Sequence, residues 1–423
     1  MKKGRAFEKR IRFGAYMPVS HPDEKHVKEL GEAGVDFAVI EFKLIAPDKI
    51  SPEFMSWFSK YGIDFAVDDP KTNKTVGDHA TVLDFDKEEL MFYKNEPGYI
   101  SYSYIDEPGM AVFEELGREV SEFNKRYPDK FAFINLLPLY ANEQQLKGGA
   151  WAAPIEYYSS DDHIYKTYLD EYIRLIDTHY ICIDIYPCKR RPDPEYPDMY
   201  PVKHIKYNYP DYVKNIEYGA NAARKSNREL WICLQSCTWY KNVRPVDGAE
   251  LRWQAYTCLS YGTTNFLYYV FAARPGHDYA LMDFIGERNA LYFEAQKLAL
   301  GLKKLSPLFV SYKNLGAFNV NSSPETTPYL EMNTPYTDFD AIWDISCDTP
   351  LLVGCFEKEK GEGKAFTLVN MQDFQKPKTA TASFKANGKI TIYRDGEPSE
   401  LKPCNGVFTV SLEQGDGVFV TVE

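Results

Sequence analysis

The chain of 423 residues lacks the marks of several large protein classes. It has no run of about 18 apolar residues, so no membrane-spanning helix is expected. Positive charge is in deficit: 49 Lys and Arg against 61 Asp and Glu leave a formal charge of -12. That balance argues against nucleic acid and anionic membranes as partners. No Gly-x-x-x-x-Gly-Lys-Ser/Thr cradle and no Gly-x-Gly-x-x-Gly turn occurs, which disfavours cofactor-dependent and phosphosugar chemistry. The seven histidines never fall at His-x-His or His-Glu-x-x-His spacing, so no metal and no cofactor is expected. A Gly-x-Ser-x-Gly elbow is missing too. The eight cysteines form no Cys-x-x-Cys pair and sit mostly in apolar, strand-like runs. They read as reduced and buried. The basic stretch Met1 to Arg12 has no apolar segment behind it, so a cytoplasmic location is expected.

What the chain has is aromatic weight and a repeat. It carries 32 Tyr, 26 Phe and 6 Trp, enough to line sugar subsites as well as a large core. From Arg12 onward an apolar run of strand length alternates with a helical pattern, eight times. The candidate strands are 13–18, 37–42, 64–67, 100–105, 131–137, 180–185, 230–234 and 264–271. Helical patterns follow at 23–33, 51–61, 87–94, 110–127, 160–178, 209–225, 249–261 and 280–302. A repeat of about 37 residues and strands apolar on both faces predict an α/β fold, a (β/α)8 TIM barrel. Past Ser306 short strands with turns such as Asn387-Gly388 predict a smaller antiparallel β-sandwich. The expected domains are 1–306 and 307–423. Two long loops, 138–158 and 187–207, are expected to shape a cleft.

In such a barrel, chemistry sits at the carboxyl ends of the strands. The fourth candidate strand ends in Asp106 and Glu107, stopped by Pro108 and Gly109. The other acids at strand ends are Glu41, Asp68, Asp69 and Asp184. The fifth strand offers Asn135 and the seventh Gln235. Adjacent carboxyl groups raise one another's pKa by like-charge repulsion, which suits a general acid. Acids at this rim together with abundant aromatics suggest hydrolysis of a glycosidic bond.

The motifs Tyr104-Ile-Asp-Glu-Pro108, Ile134-Asn-Leu-Leu-Pro138, Asp184-Ile-Tyr-Pro187 and Glu250-Leu-Arg-Trp-Gln254, with the aromatic eighth strand, resemble those of glycoside hydrolases built as a (β/α)8 barrel followed by a β-sandwich. The resemblance covers most of the chain. It implies Glu107 as general acid/base. It also implies a nucleophilic Glu at the end of strand seven, where this chain has Gln235. An amide cannot form the usual glycosyl ester.

Two repairs are open. In hexosaminidases with a strand-four Asp-Glu pair the substrate's own 2-acetamido oxygen attacks, and the Asp orients it. Asp106 and Glu107 match that pair, and a β-N-acetylgalactosaminidase family with a similar Asp-Glu-Pro is the nearest analogue. Tyr186 or Tyr240 would then donate to the acetamido oxygen. Alternatively Asp184 serves as nucleophile or base. Two rivals stay open beside the enzyme: a sugar-binding barrel that has lost its nucleophile, and a metal-assisted lyase or isomerase built on Asp68, Asp69 and Asp184.

The substrate-binding candidates are Glu41, Asn135, Tyr186, Gln235, Trp239, Tyr240 and Tyr269. Glu41 either bonds a sugar hydroxyl or pairs with a barrel lysine. Trp239, Tyr240 and Trp151 either stack on a sugar or pack. Glu250 and Arg252 either cap a helix or reach the site. The expected partner is an oligosaccharide or glycoside, and a homo-oligomer stays open.

Overall fold

The computed structural model describes residues 7–19, 21–77, 80–148, 162–188, 209–239, 243–323, 336–372, 374 and 378–423. Its first part is built on eight parallel strands: β1 Arg12–Tyr16, β2 Phe37–Glu41, β3 Asp64–Asp68, β4 Tyr99–Asp106, β5 Phe131–Asn135, β6 Tyr180–Asp184, β7 Glu229–Gln235 and β8 Thr263–Tyr269. They are ordered β5-β4-β3-β2-β1-β8-β7-β6. The ends of that order meet at a seam, where Leu136 bridges Ile183 and its N–H donates to the Cys182 carbonyl at 2.9 Å. The sheet thus curls into the expected barrel.

Helices α1 Glu24–Glu32, α2 Pro52–Lys60, α3 Phe113–Arg126, α4 Glu143–Lys147, α5 Asp162–Leu175, α6 Tyr209–Ser226, α7 Gly248–Ser260 and α8 Ala290–Phe309 accompany the strands. Their starts follow from local chemistry. The Asp23 carboxylate accepts from the His26 N–H at 3.0 Å, and the Ser51 hydroxyl from the Phe54 N–H at 3.2 Å. Gly34 and Gly62, at φ 84° and 73°, take the left-handed turn after α1 and α2. In α3, Phe113, Leu116, Val120 and Phe123 recur at helical spacing and are all buried.

Two expected helices differ. Between β3 and β4 a hairpin, Asn73–Val76 paired with Ala80–Leu83, is followed by a 3-10 segment Phe85–Leu90 instead of a helix at 87–94. The expected helix 280–302 begins only at Ala290. Before it the Asp283 carboxylate accepts from the Ile285 and Glu287 N–H groups, which folds a turn, and Asn289 caps the helix. The helix then runs on to Phe309, three residues past Ser306.

Strand parity decides what fills the barrel. Phe37, Val39, Ala66, Ile100, Phe131, Phe133, Tyr180, Cys182, Trp231, Cys233 and Leu267 face inward and form one buried cluster. Trp231 stacks on Tyr180 with centroids 4.1 Å apart. The Tyr180 hydroxyl donates to the Ala132 carbonyl at 2.9 Å and accepts from the Ile134 N–H at 2.8 Å. This aromatic plug is the floor beneath the barrel mouth.

The second part is antiparallel: β9 Tyr312–Val320, β10 Trp343–Cys347, β11 Leu351–Lys358, β12 Lys364–Asn370, β13 Ala380–Lys385, β14 Ile390–Arg394, β15 Glu397–Leu401, β16 Phe408–Leu412 and β17 Gly417–Val422. One sheet runs β9-β11-β12-β17-β14-β15 and the other β10-β13-β16. Val353, Phe366, Leu368, Phe384, Phe408 and Val420 fill the space between them. The larger sheet also packs on α7. There Ser260 and Thr367 share a 2.7 Å hydrogen bond, and the approach is so close that a Cβ at Gly354 would lie 2.4 Å from the Ser260 carbonyl.

Candidate active site

The acid layer at the barrel mouth depends on one irregularity in β4. Ser103 pairs with Phe133, but the next partners are Asp106 and Asn135. β4 therefore spends three steps where β5 spends two. Without that bulge, Asp106 would face the opposite side from Ser103; with it, Asp106 joins the inward row. Parity then assembles the mouth, two residues beyond the plug on each strand. Glu41 follows Val39, Asp68 follows Ala66, Asn135 follows Phe133, Asp184 follows Cys182 and Tyr269 follows Leu267.

Asn135 ties the acids together. Its Nδ2 donates to the Asp106 Oδ1 at 3.2 Å and to the Asp184 Oδ1 at 3.1 Å. The Cys233 thiol donates to its Oδ1 at 3.8 Å, which fixes which end of the amide faces the carboxylates. Asn135 and Asp184 are buried.

Glu107 lies one step past the strand, half-buried. Its backbone is left-handed, φ 52°, a strained state for a non-glycine residue. The strain is held from both sides. The Glu107 N–H donates to the Asn135 carbonyl at 2.9 Å, and the next carbonyl, of Pro108, accepts from the Tyr168 hydroxyl at 2.8 Å. Among the described residues the Glu107 carboxyl group has no ion pair and no hydrogen bond.

The electrostatics follow. Asp106 is exposed at the mouth, at the end of an otherwise buried strand. Loss of water, then the charge of Asp184, raises its pKa to about 7, against the pull of the Asn135 hydrogen bond. Burial, then Asp184, then Asp106, pushes Glu107 well above the usual carboxyl range. The foremost like charge is thus Asp184, across the mouth, rather than the adjacent member of the pair.

The opposite side of the mouth is aromatic. Tyr186 meets Trp239 edge-on at 4.5 Å and Tyr269 at 5.4 Å, and Tyr269 lies 5.8 Å from Tyr16. Trp239 is carried by a short ribbon in which Thr238–Trp239 pairs with His277–Asp278, so the loops after β7 and β8 are zipped together.

Several expected site residues stand otherwise. Gln235 is fully buried, and its amide is spent on main chain. Its Oε1 accepts from the Cys188 N–H at 2.8 Å, and its Nε2 donates to the carbonyls of Cys188 at 3.0 Å and Arg244 at 2.9 Å. It clasps two loops with its amide, where the sequence reading set it against substrate. Glu41 pairs with a lysine: Lys43 bridges it at 3.0 Å to Asp68 at 2.9 Å. Asp69 turns outward, accepting from the Lys71 N–H at 3.0 Å and the Tyr93 hydroxyl at 3.2 Å, so it does not join Asp68 and Asp184. Glu250 completes a capping box with Asp247 and pairs with Arg244, while Arg252 bridges Glu294 and Asp416. Tyr240, Trp151 and most of the two long loops lie outside the described residues.

Sequence reading passed over Tyr16, Lys43, Cys233, Arg274 and His277. Tyr16 and Cys233 were legible from inward parity; the other three lie on loops with no periodic signal.

No family model matches the sequence, and no curated protein matches it. Among solved structures the chain is similar to a GH30 endoxylanase from Clostridium papyrosolvens C71, at 12% identity over 99% of this chain and 98% of that one, TM-score 0.42. It is also similar to a family 51 α-L-arabinofuranosidase from Bifidobacterium longum, at 13% identity over 99% and 94%, TM-score 0.43. An endo-β-1,4-mannanase from Thermotoga petrophila aligns at 10% identity over 100% and 98%, TM-score 0.41.

Proposed function

We propose that the protein is a glycoside hydrolase acting on a 2-acetamido sugar, with Glu107 as general acid/base and Asp106 as the group that orients the acetamide. The observation carrying this reading is the Asp106–Glu107–Asp184 cluster: Glu107 meets no cation among the described residues, and its carboxyl group favours the protonated form. A protonated Glu107 donates to the bridging oxygen as the glycosidic bond breaks. The acetamide carbonyl oxygen attacks the anomeric carbon from the opposite face, giving a cyclic oxazolinium. Asp106, held by Asn135, accepts from the acetamide N–H and balances the charge that forms there. The Glu107 carboxylate then takes a proton from the water that opens the ring, which restores both partners. No protein nucleophile is needed, in keeping with the occupied amide of Gln235.

A second reading has Asp184 as nucleophile or base on a sugar without the acetamide. Its support is that Asp184 is the foremost charged neighbour of both Asp106 and Glu107. Aryl glycosides with and without the 2-acetamido group separate the two. The first reading expects turnover of the acetamido series only, with inhibition by a thiazoline analogue. Turnover confined to the other series, with a fluorosugar trapped on Asp184, favours the second. In either case Glu107→Gln should lower kcat about 10²–10⁴-fold. Binding without turnover of either series would mean a sugar-binding barrel, and unchanged turnover in Glu107→Gln removes Glu107 from the mechanism.

A further inference from the structure

We propose that Tyr168 is a positioning residue for the reaction: its hydroxyl anchors the chain just past Glu107 and so keeps the Glu107 carboxyl group aimed into the barrel mouth. Tyr168 is buried on α5 and acts through the main chain. Its role in turnover rests on the reading of Glu107 as the acid; the anchoring itself does not.

The need for an anchor follows from strand parity. Consecutive residues of an extended strand face opposite sides. Asp106 and Glu107 are consecutive, yet Asp184 is the foremost charged neighbour of both. The left-handed backbone at Glu107, φ 52°, turns the second carboxyl group back to the side of the first. Two forces oppose that turn. A Cβ is crowded in this region, and a residue followed by proline favours an extended backbone. Released, Glu107 would swing its side chain off the mouth.

Tyr168 supplies the restraint, and the atoms fix the direction of each bond. The Leu137 N–H donates to the Tyr168 hydroxyl at 3.2 Å, and that hydroxyl donates to the Pro108 carbonyl at 2.8 Å. An amide N–H only donates and a carbonyl only accepts, so the hydroxyl proton goes to Pro108. One side chain therefore ties the loop after β4 to the loop after β5. The Glu107 N–H, on the Asn135 carbonyl at 2.9 Å, holds the near end of the turn against the same strand. The Tyr168 ring lies against Phe113 at 5.2 Å and Tyr165 at 6.0 Å, and the Asn215 amide holds the Tyr165 hydroxyl at 2.7 Å. Nor has the chain room to slide past Pro108. A Cβ at Gly109 would lie 2.7 Å from the Gln145 carbonyl oxygen and overlap that of Gly148.

Leaving-group dependence separates positioning from plain packing. Tyr168→Phe keeps the ring and removes only the anchor. On an alkyl glycoside of whichever series the enzyme turns over, the departing oxygen needs a proton, and kcat/KM should fall about 10- to 100-fold. On the matching dinitrophenyl glycoside, whose leaving group departs as the anion, kcat/KM should stay within about twofold. Equal losses on the two substrates, or no loss on either, would overturn the proposal. The second readout needs no turnover. The backbone at position 107, read in crystal structures of the wild type and of Tyr168→Phe, should pass from left-handed to extended. An unchanged left-handed turn in the variant would overturn the proposal as well. If the wild type turns over no glycoside, the acid reading of Glu107 falls, while the backbone at 107 still decides whether Tyr168 anchors it.

Discussion

The two ends of the barrel both gather charge, and they treat it in opposite ways. At the floor, where the strands begin, acids are matched with cations. Arg10 lies 3.7 Å from Asp64, Lys303 lies 2.7 Å from Asp36, and Arg12 feels Glu229, Asp36 and Asp64 together. Glu229 also accepts from the Trp231 indole at 2.9 Å and the Asn265 amide at 3.0 Å. At the mouth, Asp106, Glu107 and Asp184 face one another with an amide between two of them. Lys43, a cation that Asp106 feels, is shared by Glu41 and Asp68. Charge set against countercharge holds a shape; like charges gathered together are carried at a cost in stability and are the condition for a carboxyl group that keeps its proton.

That contrast can be broken from either end. Asp64→Ala at the floor should have the largest effect on stability, a loss of about 3 kcal/mol in urea unfolding, because it removes countercharge from the buried Arg12 and the half-buried Arg10. Activity of the folded fraction should be unchanged. If instead the variant stays stable and loses turnover, the floor is not merely structural.

Gln235→Glu tests whether the seventh strand can be returned to the usual pattern. The new carboxylate cannot donate to the carbonyls of Cys188 and Arg244, and the expected cost is about 2 kcal/mol with no gain in turnover. A rise in activity would mean that the side chain can reach substrate.

Asp106→Asn should have the smallest effect, because Asp106 is exposed and solvent screens its charge, and its sign is the informative part. The folded-state pKa of about 7 lies above the unfolded value of about 3.9. The stability linked to this proton is therefore fully present below about pH 4 and is lost as pH rises through about 7. The variant, which does not titrate, should gain on the wild type over that window while turnover falls. Parallel stability curves from pH 4 to 8 would remove the raised pKa.

Most of the architecture was legible because the barrel strands are apolar runs of the right length, and the inward row follows from counting by two. The segment after β3 was not. Residues 87–94 are rich in helix formers, but the hairpin before them takes up the length a barrel helix would need, and propensity yields to tertiary pairing. At the site, Asp106, Asn135 and Asp184 were visible as strand ends, whereas the bulge that turns Asp106 inward has no glycine to announce it. The setting of Gln235 was illegible for a different reason. Its partners, Cys188 and Arg244, lie on loops distant or aperiodic in sequence, so no local pattern shows that its amide is already taken.

The decisive observation concerns the proton on Glu107. Carboxyl carbon shifts of glutamate-labelled protein, followed against pH and assigned through Glu107→Gln, read it directly. A titration midpoint well above the ordinary Glu value of about 4.3 is the expected result. A midpoint at or below that value would mean an ionised, solvated side chain with no proton to give, and the assignment of this barrel mouth as a glycosidase site would fall.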